Sequence, residues 1–357
     1  MDKFNTLLRL GVIGAAMLCM AAVFAYVGGW LSPEQLTPKR LLAALSTGDH
    51  PGFRRNHAKG VCVTGWFEGS GQAAELSKAA VFKAGRAPVV GRFALAGDMP
   101  FEADTPGTVR SMALRFLPAD GAEWRTGMNN IPVFPANTAR SFYELLEASA
   151  PDPATGKPDP ARMQAFLTDH PETAQALALM SKRTISDGFA NSTFNGLDAF
   201  RFVNAAGVSV PARWSTIPEQ PFVAAGAVQP TAGDGNRLFD DLITAIARQP
   251  LRWQLVVTIG QPGDPTNDAT LPWPADRRQV DAGTVVLDHA SSEDGGSCTD
   301  VNYDPLVLPP GIEPSDDPLL SARSAAYARS FTLRAGEAGE KPPSAVTPQE
   351  VSAGGKP

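Results

Sequence analysis

The spacing of hydrophobic and polar positions changes several times along this chain. Residues 10–27, LGVIGAAMLCMAAVFAYV, are apolar and uncharged, close to the ~20 residues that cross a bilayer as a helix. A short stripe follows in TPKRLLAALST, where Thr37 as cap and Pro38 in the first turn predict a helix. Between about residues 57 and 117 the period falls to two in GVCVTGWFEG, PVVGRFALAG and SMALRFLP, each bounded by Gly, Pro or Asp. That alternation predicts antiparallel strands. Helical spacing returns in ARSFYELLEAS, in the longer DPARMQAFLTDHPETAQALALMSKR, and in GNRLFDDLITAIARQ. AFRFVNAAGVSVPARW reads as a hairpin turning at Ala205–Gly207, and RWQLVVTIGQ and GTVVLDH as further strands. The last stretch, 336–357, has no apolar period and is expected to be a disordered tail. Strands gathered before and between helices predict an α+β fold.

Composition sharpens this picture. The 357 residues, 43% hydrophobic, suffice for one large domain with a sizeable core, and the 32 prolines and 33 glycines imply long irregular connections. A net charge of -6 gives no basic stripe, which removes the electrostatic basis for nucleic-acid binding. Lys3 and Arg9 precede the apolar run and Glu34 follows it, which places residues 1–9 in the cytoplasm and the main domain outside. The chain is therefore read as an anchor at 10–30 with Trp30 at the interface, a linker and short helix at 31–50, and a folded domain at 51–335. A signal peptide cut after Ala25 is the rival reading, but the run exceeds the ~7–15 residues of an h-region. No two of the three cysteines have CxxC spacing, so a cysteine-held metal is not expected. Cys19 lies in the apolar run, leaving Cys62 and Cys298 as the one pair for a disulfide in an oxidising compartment; two unpaired buried thiols are the favoured reading.

Three short segments carry candidate chemistry. His57 follows two arginines in FRRNHAKG, Asn129 and Asn130 precede a proline in MNNIPVF, and Tyr327 stands four residues after Arg323 in ARSAAYARSF. Alone, each has an ordinary explanation: a surface histidine, a turn, and a core tyrosine beside an arginine on one helix face. Together their order, content and spacing resemble the haem catalases. HAKG matches the motif that carries the distal histidine of that family, here His57. NNIPVF matches the motif of its distal asparagine, here Asn129, and PPGIE followed by RSAAY matches the motif of its haem-ligating tyrosine, here Tyr327. The resemblance runs from about residue 50 to 335 and includes GRF at Arg92 and FRFVNAAG.

The resemblance implies a haem catalase-like antiparallel β-barrel core with surrounding helices, and haem as cofactor. His57 would move a proton between the peroxide oxygens, and Asn129 would donate a hydrogen bond to the peroxide. Tyr327 would bind ferric iron as a tyrosinate, which needs a nearby cation because a phenol ordinarily ionises near ~10; Arg323, one turn back, is placed to be that cation. Arg54, Arg92 and Arg334 match arginines that hold haem propionates, and Phe142 matches a ring stacked near the porphyrin. Ala325, Ala326 and Ala328 would let the helix approach closely, and Asp198 and Asp317 stand where they could extend the charge network behind Arg323. Trp66 and Phe67 read as core residues, and His170 and His289 lie outside the motifs.

Departures from the pattern are equally specific. Ala94 stands where the family has a serine that orients the distal histidine, so His57 is expected to lose a partner. Thr108 replaces an acidic channel residue, Ala96 a valine, and Asn56 the valine before the histidine. These changes imply a wider access route and weaker control of peroxide. What is retained resembles the shorter, exported catalase-related peroxidases. The expected activity is a haem peroxidase in oxidative-stress defence, membrane-tethered and facing outward, using peroxide and an organic electron donor with weak catalase activity. The alternatives are a minimal catalase, a haem-binding protein with little turnover, and a lipid-hydroperoxide isomerase.

Overall fold

Period-two alternation became strands where it was densest. The computed structural model describes residues 2–28, 35–46, 48–226 and 235–354. In it β1 (Gly60–Gly69), β2 (Gly85–Leu95) and β3 (Arg110–Phe116) form an antiparallel meander. The sequence reading had missed β4 (Trp124–Asn129) and the two-residue β5 (Phe194–Asn195). The expected hairpin is β6 (Phe200–Val203) and β7 (Ser209–Pro218); β8 (Leu251–Ile259), β9 (Gln279–Ser291) and β10 (Ile312–Pro314) complete the sheet. Eight strands run in the order β7-β5-β4-β3-β2-β1-β9-β8, and pairing of β8 back onto β7 closes them into a barrel. β6 and β10 extend it outward from β7.

Alternate side chains fill the barrel. Phe67, Phe93, Phe116, Trp124 and Trp253 are fully buried within it. Trp124 stacks on Phe116 with ring centroids 4.8 Å apart and meets Trp214 edge-on at 5.1 Å. Such contacts add about 0.5–1.5 kcal/mol each beyond area burial.

Helices cover the outside. α1 (Asp2–Val27) contains the apolar run; its segment Asn5–Val27 has a mean hydropathy of 2.3 and is wholly unburied, long and apolar enough to cross a membrane or to serve as a signal sequence. Trp30 and Glu34, invoked in the orientation argument, lie outside the described residues. In α2 (Pro38–Leu45), Thr37 caps as expected by accepting the Arg40 N–H at 3.3 Å. α3 (Ala139–Ser149) starts with a capping box between Thr138 and Ser141. The longer helical stretch is two helices, α4 (Pro160–Asp169) and α5 (Pro171–Ser181), because Pro171 cannot donate the next backbone bond. α6 (Arg237–Arg248) packs against β9, α7 (Pro318–Gly336) carries Tyr327, and α8 (Pro348–Gly354) ends the described chain.

Two expectations are corrected. The segment after α7 is not disordered over its described length: Val346 is fully buried, and the Ser344 N–H donates to Asp294 at 2.9 Å. Thr347 and Glu350 cap α8 reciprocally, at 2.6 and 3.2 Å. One valine and a capping box suffice where neighbouring elements supply the rest of the surface. Cys62 and Cys298 are not free thiols either; they form a disulfide with Cα atoms 5.3 Å apart, because the chain after β9 folds back across β1.

Candidate active site

The same alternation that fills the barrel sends the other face of β2, β3 and β4 outward, where α2, α3 and α7 roof it over. Between them lies a cavity with about 1360 Å³ of empty space, its open mouth included. Its strand wall carries small and polar residues: Ala94 on β2, Ser111 and Ala113 on β3, Gly127 and Asn129 on β4. The register pairs Ala94 with Ser111 and Ser111 with Asn129, so the three form one rung across the sheet.

His57 enters this wall from the segment before β1. Its φ of 56° makes it the one non-glycine residue with a left-handed backbone among the described residues, a conformation that needs local support. Asn56 gives that support: its Oδ1 accepts the His57 N–H at 2.9 Å and the Gly97 N–H at 3.0 Å. Asn56 is thus the residue that sets the turn of the histidine. The expected loss of an orienting partner is also corrected. Ala94 has no hydroxyl, but Ser111 on the next strand places its Oγ 3.0 Å from His57 Nδ1 and 2.5 Å from Asn129 Oδ1. Burial, reinforced by the Arg92 charge and partly offset by a hydrogen bond to the Leu95 carbonyl, pushes the His57 imidazole down to about 3. It is therefore neutral at pH 7 and has a lone pair to accept a proton.

The facing wall is α7. β10 pairs with β6, and Asp317 then caps the helix by accepting the Leu319 N–H at 2.9 Å. Helical periodicity presents Leu319, Ala322, Arg323, Ala326, Tyr327 and Ser330 to the cavity. Ala326 behaves as expected, but Ala325 and Ala328 are exposed on the far side, and Ala322 supplies the second small residue. Arg323 Nη1 bonds Asp198 Oδ2. Asp317 takes no part there; burial raises its carboxyl to about 6, with Arg213 as the opposing cation. Gly127 of β4 faces both key groups: a Cβ at that position would lie in ordinary van der Waals contact, 3.7 Å from the Tyr327 hydroxyl and 3.8 Å from Arg323 Nη2.

A cationic corner completes the cavity. Arg54, Arg92 and Arg334 converge there around a single carboxylate, Glu293. Arg92 grips Glu293 with two bonds of 2.8 Å, and Gly60 leaves the space that its guanidinium fills. Arg54 donates to the Cys298 carbonyl at 3.1 Å and the Val301 carbonyl at 3.3 Å, and Arg334 to that of Thr299. The disulfide fixes the loop that offers these carbonyls. Burial, together with repulsion from Arg92 and Arg334, lowers Arg54 to about 9. Phe142 packs against Phe134, with ring centroids 5.0 Å apart, and Leu41, Leu42 and Leu45 of α2 line the cavity as well.

His57, Asn129, Tyr327, Arg323, Arg54, Arg92, Arg334 and Phe142 all line this one cavity. Sequence reasoning missed Ser111, Glu293 and the α2 leucines, for which no local motif exists; the role of Asn56 had a signal in its position next to a histidine. Ala96 and Thr108 are not among the lining residues. Of the other flagged residues, Phe67 is core, Trp66 is half-buried beneath Arg86, and His170 bonds Glu144 and Glu172 away from the cavity.

An imidazole and an amide facing a helical phenol, with arginines beside them, on the outside of a closed barrel, is the arrangement that the resemblance to the haem catalases implies. The chain belongs to the catalase family: it matches the family model described as Catalase over residues 51–352. It is 36% identical over 332 residues to a "Catalase-related peroxidase" of Synechococcus elongatus, covering 92% of this chain and 97% of the relative. A protein of the same name from Mycolicibacterium paratuberculosis is 31% identical over 304 residues, covering 84% and 96%. A "Catalase" of Pseudomonas syringae is 32% identical, covering 87% of this chain and 63% of the relative. Among solved structures, one titled "Structure of a bacterial catalase" shares the fold at a TM-score of 0.69 and 24% identity, over 80% of this chain and 58% of that one. The chain thus spans little more than half of that solved catalase. Membership makes it a peroxide-handling oxidoreductase of the catalase and peroxidase type.

The cavity suits haem, the cofactor of that family. Three guanidiniums face one buried carboxylate, with the exposed Asp300 as a weaker influence on Arg334, which leaves a positive excess suited to haem propionates. Arg54 Nε and Arg334 Nη2 are buried without a hydrogen-bond partner, as donors awaiting an anion would be. Much of the remaining wall, including Phe134, Phe142 and the α2 leucines, is apolar.

Proposed function

We propose that this protein is a haem-dependent peroxidase that reduces hydrogen peroxide or organic hydroperoxides with an organic electron donor and has weak catalase activity. The observation that supports it most is the placement of His57 and Asn129 on the strand wall and Tyr327 on the helical wall of one cavity. In this reading Tyr327 would hold the haem iron through its phenol oxygen, with Arg323 favouring the tyrosinate. Asp198 holds that guanidinium in place. Arg54, Arg92 and Arg334 would hold the propionates through charge-assisted hydrogen bonds, and Phe142 would pack against the porphyrin. Haem, when bound, supplies the redox chemistry that cleaves the peroxide bond.

The chain itself moves the proton. Neutral His57 accepts it at the ring nitrogen that faces the cavity as peroxide arrives, and returns it to the departing oxygen so that water leaves. The Asn129 amide donates a hydrogen bond that orients the peroxide. The apolar leucines of α2 and the rings of Phe134 and Phe142 exclude bulk water, which strengthens these interactions. The apolar α1 tethers the domain to a membrane, with the domain on the periplasmic or extracytoplasmic side. The Cys62–Cys298 disulfide supports that side, since such bonds persist in oxidising compartments.

The test is oxygen release by the purified haem-loaded protein given hydrogen peroxide, with and without a phenolic donor. Slow oxygen release alone, with fast peroxide consumption once the donor is added, is expected. One oxygen for every two peroxides, whatever the donor, would identify a minimal catalase instead.

A further inference from the structure

The rung Ala94–Ser111–Asn129 carries one hydroxyl where the chemistry has two polar partners to align. Ser111 Oγ lies 3.0 Å from His57 Nδ1 and 2.5 Å from Asn129 Oδ1. A hydroxyl has a single proton to give. Asn129 Oδ1 can only accept, so that proton points to Asn129. The Ser111 oxygen must then accept from His57, which puts the imidazole proton on Nδ1 and leaves the Nε2 lone pair free. The same bond turns the Asn129 carbonyl toward the strand wall and leaves its NH₂ as the donor group. Reversing the amide would reverse the chain: Asn129 would donate to Ser111, Ser111 to Nδ1, and Nε2 would carry the proton. Ser111 is therefore the group that base and donor share, beside the Leu95 carbonyl that also bonds the imidazole.

We propose that Ser111 is the positioning residue of the distal site, holding the His57 tautomer and the Asn129 amide orientation in one coupled setting. The inference rests on the peroxidase reading above and names a device within it. It also accounts for Ala94. The directly opposed residues of an antiparallel pair project from the same face, so the hydroxyl has moved one strand over while its target has stayed. Nothing local in SMALRF marks this serine, since its partners are 54 and 18 residues away.

The decisive experiment compares Ser111→Ala, and the double variant Ser111→Ala with Ala94→Ser, with the parent as haem-loaded proteins. Haem content, the dissociation constant for cyanide and the rate of peroxide consumption are measured. Hydrogen cyanide must give up its proton to a distal base, so its affinity reports the His57 setting apart from turnover. Ser111→Ala is expected to load haem like the parent but to lose about 10–100-fold in both cyanide affinity and peroxide consumption, the usual effect of removing an outer-shell partner. The double variant, with its hydroxyl on the adjacent strand, is expected to regain most of that loss. Unchanged cyanide affinity in Ser111→Ala overturns the proposal. Loss of haem in that variant, or no recovery in the double variant, overturns it as well, by making Ser111 a packing residue. A parent that binds haem and cyanide but consumes no peroxide would defeat the peroxidase reading and leave the positioning test standing.

Discussion

The inward and outward faces of β2, β3 and β4 are built from alternate residues of the same strands, yet they do different work. Inward, Phe93, Met112, Phe116 and Trp124 are fully buried and large. Outward, Ala94, Ser111, Ala113, Gly127 and Asn129 are small or polar. The first set supplies stability by filling volume; the second leaves volume empty and places a few hydrogen-bonding atoms around it. Because the side-chain period of a strand is two, a substitution on one face need not disturb the other. The rigid interior is also what holds the polar rung to the tolerance that chemistry needs.

The separation can be broken most severely on the outward side. Tyr327→Phe should abolish haem retention while the barrel remains folded, checked by haem absorbance beside circular dichroism; full occupancy would remove Tyr327 as ligand. His57→Ala should retain haem and lose about 10²–10⁴-fold in peroxide turnover, the usual worth of a general acid–base group, with no matching fall in the urea midpoint. On the inward side, Trp124→Ala should cost about 3–5 kcal/mol of stability by chemical denaturation. If haem-loaded Trp124→Ala also lost turnover in proportion, the two faces would not be independent. Replacing Cys62 and Cys298 together by serine should cost about 2–5 kcal/mol and weaken haem retention through the loop that positions Arg54. Unaltered haem affinity would separate the disulfide from the site.

Smaller effects sharpen the picture further. With its imidazole pushed down to about 3, His57 should stay neutral, and peroxide consumption should be flat between pH 8 and 5. A fall centred near the ordinary histidine value of ~6.5 would show that burial does not control it. The same shift makes stability fall with acid: the unfolded chain takes up this proton below about 6.5 and the folded one only near 3, so the contribution is complete above 6.5 and lost as pH drops between them. Smallest of all, Ala94→Ser alone should change turnover less than about twofold, because Ser111 already occupies the partner position on His57. A large gain in oxygen release would mean that Ser111 does not fill that role.

Much of this was legible beforehand because it is local. Alternation drew β1 to β3, Thr37 and Pro38 announced α2, and HAKG, NNIPVF and RSAAY marked the residues that line the cavity. β4 was missed because its Asn and Gly residues read as a turn, and β5 because two residues carry no period. The break at Pro171 and the capping box at Thr347 and Glu350 were visible signals that an overall helical or polar impression outweighed.

What the sequence determined alone was which side chains exist at which period: a barrel face, a cavity face, a helix with an arginine one turn before a tyrosine, and an apolar leader. Only the tertiary structure decided that Cys62 meets Cys298, that Glu293 neutralises one of three arginines, and that Ser111 stands between His57 and Asn129. Each of those is a contact between residues brought together by strand register and loop return, and a linear sequence records neither until the backbone closes on itself.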